Sequence, residues 1–168
     1  VDAITIQRGL NTVVRIQNNR VIGGNFSMTV NCTTSSVIFS GNELRDLDNY
    51  TGKNVVEIIL KSGGIVNTTQ VTIVSNNLSK VNAMTVFHVD LTESTYSVMA
   101  RDNRIEDVVL SGSAFRLNTP NSEVTLQNNF VNGSSFDLVF DITSLGVTAN
   151  RNNIHSISQS RSVMNIET

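Results

Sequence analysis

The 168-residue chain has few of the residues that define metal centres, membrane proteins and nucleic-acid-binding surfaces. Its one cysteine, Cys32, excludes an internal disulfide and a zinc site built on several cysteines. No apolar run approaches the ~20 residues that a membrane-spanning helix needs. The 12 Lys and Arg residues are scattered and are outnumbered by 14 Asp and Glu residues, so no phosphate-binding surface is expected. These shortages predict no metal site, no membrane insertion and no nucleic-acid partner.

Helical patterns and phosphate-binding loops are also missing. No apolar spacing of i, i+3, i+4, i+7 continues beyond two helical turns. The pairs Gly23-Gly24 and Gly63-Gly64 predict bends, because no helix follows either pair, and no cofactor is expected. The chain begins at Val1 without a signal-like segment, which favours a processed product or a fragment of a longer chain.

Asparagine and β-branched residues are abundant instead. The chain has 22 Asn and many Val, Ser and Thr, but one proline and no tryptophan. Val and Thr favour strands, whereas Asn favours tight turns. Apolar residues alternate with polar ones along Phe136, Leu138, Phe140 and Ile142, which is the period of a strand. The composition therefore predicts an all-β chain of short strands joined by tight bends.

A repeat centred on one asparagine runs through the chain. Its template is Val, any residue, a small or apolar residue, two residues of any type, Asn, any residue and an apolar residue. The six asparagines at this position are Asn19, Asn42, Asn76, Asn103, Asn129 and Asn152. The valines of successive copies lie 23, 34, 27, 26 and 23 residues apart. A second apolar strand precedes the valine by about eleven residues, at Phe26, Phe87, Phe115 and Phe136.

This repeat predicts a single-stranded, right-handed parallel β-helix in which each copy is one coil. Coils stacked ~4.8 Å apart allow identical asparagines to bond up and down the stack, while the valines fill the core. We expect six to seven coils in one domain over residues 1–168, the extra coil being formed by Ile4, Ile6 and Gly9. The alternative is a β-sandwich, whose strands keep no such fixed spacing.

The asparagine motifs resemble those of the pectate-lyase-like superfamily of right-handed β-helices. They read Gln17-Asn18-Asn19-Arg20-Val21, Asp102-Asn103-Arg104-Ile105 and Gln127-Asn128-Asn129-Phe130-Val131. The Ser-, Thr- and Asn-rich texture is most similar to the β-helix of bacteriophage tailspikes. This resemblance implies a homotrimer that binds or cleaves host-surface polysaccharide as part of a virion. The Asn-Thr-Asp, Asp-Asp and His-Gly segments of the polygalacturonase-like branch are absent, and the lyase branch's acidic calcium cluster has no clear match.

One candidate site lies on the outward positions of the strands that precede the valines. The predicted coil alignment brings His88, Asp90, Asp137 and Asp141 together on one face as catalytic candidates, with Arg116 as a ligand-binding residue. Carboxylates two coils apart would lie roughly 9 to 10 Å apart, near the upper limit for an inverting glycosidase. The alternative is an ordinary surface ion pair between Arg116 and Asp90.

A second candidate site is an expanded loop at residues 45–53, in the longest coil. Projecting loops on rigid scaffolds often carry function. Tyr50 offers a ring for sugar stacking, and Asp46 and Asp48 offer acceptors for sugar hydroxyls. The alternatives are a solvated loop or a contact between subunits.

Taken together, the residues favour a β-helix domain of a viral tail appendage that is structural or binds polysaccharide as a homotrimer. The missing enzyme motifs favour binding over cleavage, although a polysaccharide hydrolase or lyase stays open as the alternative. A bacterial surface adhesin, on the cell surface or outside the cell, is the third possibility.

Overall fold

The computed structural model describes residues 4–10, 13–33, 36–49, 52–61, 69–91, 96–155 and 162–168. Within these ranges the chain forms 17 strands and no helix. The strands are β1 (Ile4–Leu10), β2 (Val13–Gln17), β3 (Arg20–Gly24), β4 (Met28–Thr33), β5 (Ser36–Ser40), β6 (Glu43–Asp48), β7 (Val56–Lys61), β8 (Thr69–Val74), β9 (Asn77–Ala83), β10 (Phe87–Asp90), β11 (Tyr96–Arg101), β12 (Arg104–Leu110), β13 (Ser113–Gln127), β14 (Phe130–Ser135), β15 (Leu138–Asn150), β16 (Asn153–His155) and β17 (Ser162–Glu167).

The strands stack in parallel into a solenoid with three faces, and the chain visits the faces in turn. Face 1 contains β1, β4, β7, β10, the first half of β13, the first half of β15, and β17. Face 2 contains β2, β5, β8, β11 and the second halves of β13 and β15. Face 3 is the six-stranded sheet of β3, β6, β9, β12, β14 and β16. The parallel β-helix prediction is confirmed, and the β-sandwich alternative is wrong.

The six predicted asparagines form a continuous ladder at the corner between faces 2 and 3. At each step the side-chain amide and the backbone N–H of one asparagine donate to Oδ1 of the next, at 2.9–3.2 Å. From Asn42 onward, the amide also donates to a backbone carbonyl of the preceding turn, as from Asn103 Nδ2 to Ile73 O at 2.8 Å. Six rungs enclose five full turns, so the solenoid has about five turns rather than the six to seven coils predicted.

The core is filled by columns of identical or similar side chains. On face 2 the column is valine throughout, including Val37, Val71, Val98 and Val124, which are at most 1% exposed. On face 1, the rings of Phe87, Phe115 and Phe140 stack with centroids 5.2 and 5.4 Å apart. Cys32, in β4 on face 1, is also buried.

The fixed eleven-residue spacing between faces 1 and 2 is wrong. Phe26 and Phe136 lie before their strands, and the positions that align with Phe87 and Phe115 are Met28 and Phe140. From this column to the valine column the chain takes eleven residues after Phe87 but nine after Phe115 and seven after Phe140. The corner between faces 1 and 2 therefore varies in length, which changes the predicted outward columns.

Candidate functional site

A polar cleft of about 530 Å³ lies on the outer side of face 1. The strands β10, β13, β15 and β17 build it, because their outward side chains stand in two rows across the sheet. The first row contains His88, Arg116, Asp141 and Asn165, and the second contains Asp90, Asn118, Thr143 and Glu167. Parallel strands hold neighbouring members of a row ~4.8 Å apart. The cleft therefore presents a regular array of carboxylates, amides, a hydroxyl and a guanidinium.

Asp141 is held in place by its two neighbours in the first row. Arg116 Nε lies 3.5 Å from Asp141 Oδ2, and Asn165 Nδ2 donates to Asp141 Oδ1 at 3.2 Å. The Arg116 side chain is 54% exposed, so its remaining N–H groups can reach a ligand. Arg116 pairs with Asp141 here, whereas the sequence-based alternative paired it with Asp90.

His88 is oriented by two residues at the edge of the cleft. Its Nδ1 lies 3.2 Å from Glu57 Oε1 and 3.1 Å from Asn54 Nδ2, and Asn54 also donates to Glu57 at 3.0 Å. Nδ1 either accepts from Asn54 or donates to Glu57, depending on the tautomer; when it carries the proton, it donates to Glu57 and leaves Nε2 as an acceptor. The His88 and Glu57 side chains are 21% and 29% exposed, so the pair is accessible to a ligand.

Four of the five residues predicted for this face are brought together, and Asp137 is not. His88, Asp90, Arg116 and Asp141 all line the cleft. Asp137 lies exposed before β15 begins, where its backbone N–H donates to Gly112 O at 3.0 Å. The sequence placed Asp137 in the column of His88, but Asp141 takes that position, because the chain from the face 1 column to the valine column is seven residues long in β15 against eleven after Phe87.

Sequence reasoning missed Asn54, Glu57, Asn165 and Glu167. The alternation of Val56, Ile58 and Leu60 places Glu57 outward, and that of Met164 and Ile166 places Asn165 and Glu167 outward. These patterns were present in the sequence. They could not be aligned with the other coils, because the corners between the faces differ in length.

The second predicted site, at residues 45–53, is largely part of the solenoid wall. Arg45, Asp46 and Asp48 lie in β6 on face 3 and do not project as a loop. Lys80 Nζ lies 3.8 Å from Asp46 Oδ1, and Asn82 Nδ2 donates to Asp48 Oδ1 at 3.3 Å. Tyr50 lies outside the described residues. The carboxylates predicted to bind ligand therefore face partners along face 3, away from the cleft.

The extra length of the longest coil lies mainly elsewhere. From Val56 on face 1 to Val71 on face 2 the chain takes 15 residues, against 11 from Phe87 to Val98. Residues 62–68, which include Gly63 and Gly64, fall in this connection and lie outside the described residues.

No protein-family model, curated protein or solved structure matches the chain. The resemblance to pectate-lyase-like β-helices and tailspikes therefore rests on the sequence motifs alone, whereas the parallel β-solenoid and its asparagine ladder are shown by the structure. Fold alone does not specify function, because many functions occur on the same scaffold. The chemistry of the cleft therefore decides what the chain can bind.

Among the residues that the structure describes, no group of three or more His, Cys, Asp and Glu side chains is arranged to hold a metal ion. The same part of the chain contains no helix long and apolar enough to cross a membrane.

Proposed function

We propose that the chain is a β-solenoid domain of a viral tail appendage that binds host-surface polysaccharide through the cleft on face 1. The observation that carries this proposal is the two-row array of His88, Asp90, Arg116 and Asp141 with their amide and hydroxyl neighbours. Carboxylates and amides accept and donate hydrogen bonds to sugar hydroxyls. An extended polysaccharide carries hydroxyl groups along its length. The cleft carries polar side chains on four successive strands, so it offers hydrogen-bonding partners to several of those hydroxyls.

The charge of the cleft disfavours a phosphate-rich ligand. Its lining includes the carboxylates Asp90, Asp141 and Glu167 against the single guanidinium of Arg116. Phosphate binding needs a surplus of cations. A polyhydroxylated ligand meets no such repulsion, which supports polysaccharide over nucleic acid.

Binding is favoured over cleavage because Asp141 is already occupied. Both of its oxygens face partners, Arg116 on one side and Asn165 on the other. Glycosidases of the inverting class need a second carboxyl group that protonates the leaving oxygen. Of the predicted candidates for that role, Asp137 lies outside the cleft and Asp90 lies in its second row, on a different strand from Asp141.

A polysaccharide hydrolase remains the second candidate, and the His88–Glu57 pair favours it. A histidine oriented by a carboxylate through Nδ1 is the arrangement of many general bases. A hydrolase differs from a binding domain in one measurable way, because only the hydrolase cleaves the polysaccharide.

The test of binding compares Arg116→Ala with Arg101→Ala on a panel of purified capsular polysaccharides and lipopolysaccharides. Both arginines are about half exposed and paired with a carboxylate, at 3.5 and 3.3 Å, but Arg101 lies on face 2. Loss of a charged hydrogen-bonding group from the cleft should weaken retention about tenfold or more in affinity electrophoresis. Arg101→Ala should retain the affinity of the unmodified chain.

Equal losses in the two variants would show a general charge effect and contradict the cleft as the site. Release of reducing ends by the unmodified chain, abolished in His88→Gln with retention intact, would make the protein a hydrolase instead.

A further inference from the structure

A second cavity lies beside the cleft, where the chain passes from face 3 to face 1. It has a volume of about 360 Å³. Thr29 and Glu57 lie in β4 and β7 and precede His88 in the first row of outward side chains. The row therefore continues from the cleft into the cavity, and the strand steps from Thr29 to Asp141 cover ~19 Å. The lining of the cavity includes Ser27, Thr29, Lys53, Asn54, Glu57 and Met84.

Glu57 stands between the cleft and the cavity. Its Oε1 lies 3.2 Å from His88 Nδ1 on the cleft side and accepts from Asn54 Nδ2 at 3.0 Å. Its Oε2 accepts no hydrogen bond from the described residues, and the side chain is 29% exposed. Glu57 therefore has one oxygen that is held by the protein and one that can accept from a ligand.

The charges of the cavity select against ionised groups on a ligand. Lys53 supplies an ammonium and Glu57 supplies a carboxylate. A ligand amine meets the Lys53 cation and a ligand carboxylate meets the Glu57 anion, so each meets a like charge in the cavity. A neutral amide complements both residues, because its N–H donates to a carboxylate and its carbonyl accepts from an ammonium.

Met84 gives the cavity an apolar surface that the two rows of the cleft lack. Those rows consist of charged, amide and hydroxyl side chains and a histidine. The Met84 backbone is fixed on both sides, since its N–H donates to Lys53 O and its carbonyl accepts from Gly112 N, each at 2.9 Å. A methionine side chain adapts its shape to a small apolar group. The cavity therefore offers a contact for a methyl group as well as a donor and an acceptor.

We infer that this cavity is a subsite for the acetamido group of an N-acetylated amino sugar. The inference rests on the proposed function, because the sugar belongs to the polysaccharide that the cleft binds. The acetamido N–H donates to Glu57 Oε2, its carbonyl accepts from the Lys53 ammonium and its methyl group packs against Met84. The cleft binds hydroxyl groups, which all polysaccharides carry, whereas the cavity selects the polysaccharides that carry N-acetyl groups.

The test measures the affinity of the full chain for three β-1,4-linked tetrasaccharides by isothermal titration calorimetry. Chitotetraose, its fully de-N-acetylated form and cellotetraose differ only in the group on the second carbon, which is an acetamido group, an ammonium and a hydroxyl, respectively. We expect chitotetraose to bind about tenfold more tightly than either of the others, because only the acetamido group meets Glu57, Lys53 and Met84 together.

Variants of the cavity identify the residues that select the acetamido group. Met84→Ser removes the apolar contact and Lys53→Gln removes the ammonium, so each should lower the ratio of the chitotetraose affinity to the cellotetraose affinity by about threefold or more. Lys53→Gln changes a partly exposed side chain, so it tests the subsite independently if Met84→Ser fails to fold. Met99→Ser and Lys61→Gln are the matched controls, on the outer side of face 2 and at the end of β7, and should leave the ratio unchanged.

Arg116→Ala separates the subsite from the proposed function. Because Arg116 lies in the cleft, its loss should weaken the binding of both oligosaccharides and leave the ratio of their affinities unchanged. Equal affinities for the three tetrasaccharides, tightest binding of the de-N-acetylated form or no binding of chitotetraose would overturn the subsite, as would an unchanged ratio in both cavity variants. In each of these cases, polysaccharide retention that depends on Arg116 would leave the proposed function standing.

Discussion

At the residue scale, one amide side chain is used to its full capacity at each interior rung of the ladder. Asn103 donates to Ile73 O and Asn129 Oδ1, and its own Oδ1 accepts from the backbone and side chain of Asn76. It is 1% exposed, so water cannot replace these partners. Burying an amide without partners is costly, which explains why this position uses asparagine in all six repeats.

Replacement of Asn103 by Ala should lower the free energy of unfolding by ~1–3 kcal/mol, because the buried partners lose their hydrogen bonds. Asn77 is the matched control, since it is exposed and lies one residue after the neighbouring rung. Asn77→Ala should change the free energy by less than ~0.5 kcal/mol. Urea unfolding of the two variants measures both values, and equal effects would contradict a stabilising ladder.

At the element scale, the corner between faces 2 and 3 is the most regular part of the fold. The residue before each ladder asparagine has a positive φ, between 52° and 65°. These residues are Asn18, Gly41, Ser75, Asp102, Asn128 and Arg151. A positive φ turns the chain sharply within two residues, and this turn keeps the ladder in register. A positive φ also recurs four residues after the asparagine, at Gly23, Asp46, Lys80 and Asp107. The connections between the other faces differ in length from turn to turn.

This conformation predicts opposite effects for one substitution at two sites. Ser75 has a φ of 56°, which glycine adopts without the strain that a side chain introduces. Ser75→Gly should therefore stabilise the protein by up to ~1 kcal/mol. Ser97 is exposed within β11, where glycine only adds entropy to the unfolded chain, so Ser97→Gly should destabilise by ~0.5–1 kcal/mol. Thermal unfolding that shows the same sign at both sites would contradict this account.

At the scale of the whole molecule, the homotrimer that the sequence predicts would need contacts between outer faces. Ile38 and Met99 lie in one outward column of face 2, and Phe130 lies on face 3 beneath the Arg104 guanidinium, 4.6 Å from its ring centre. Lateral packing of subunits would cover such residues.

Multi-angle light scattering of the unmodified chain should give three times the 18.3 kDa mass of one chain. The expected reason is burial of these partly exposed apolar side chains between subunits. A mass of 18.3 kDa at every concentration would contradict the trimer.

The sequence by itself determined the parallel solenoid, the ladder and the valine column. It could do so because the chain from valine to asparagine is five residues long in every repeat, so one template aligns all copies. The physical reason is the buried amide, which tolerates no other spacing.

Only the tertiary structure decided which outward residues meet on face 1. The corner between faces 1 and 2 carries no asparagine ladder, so its length differs between turns while the ladder at the other corner keeps its register. The shortening from eleven residues after Phe87 to seven after Phe140 puts Asp141 in the row of His88 and leaves Asp137 outside the cleft. For the same reason the sequence did not show that Glu57 lies beside His88. The connection after the strand of Glu57 differs in length from those of other turns, so counting residues back from the valine does not align that strand. Strand pairing across turns, which no local pattern records, places these side chains together.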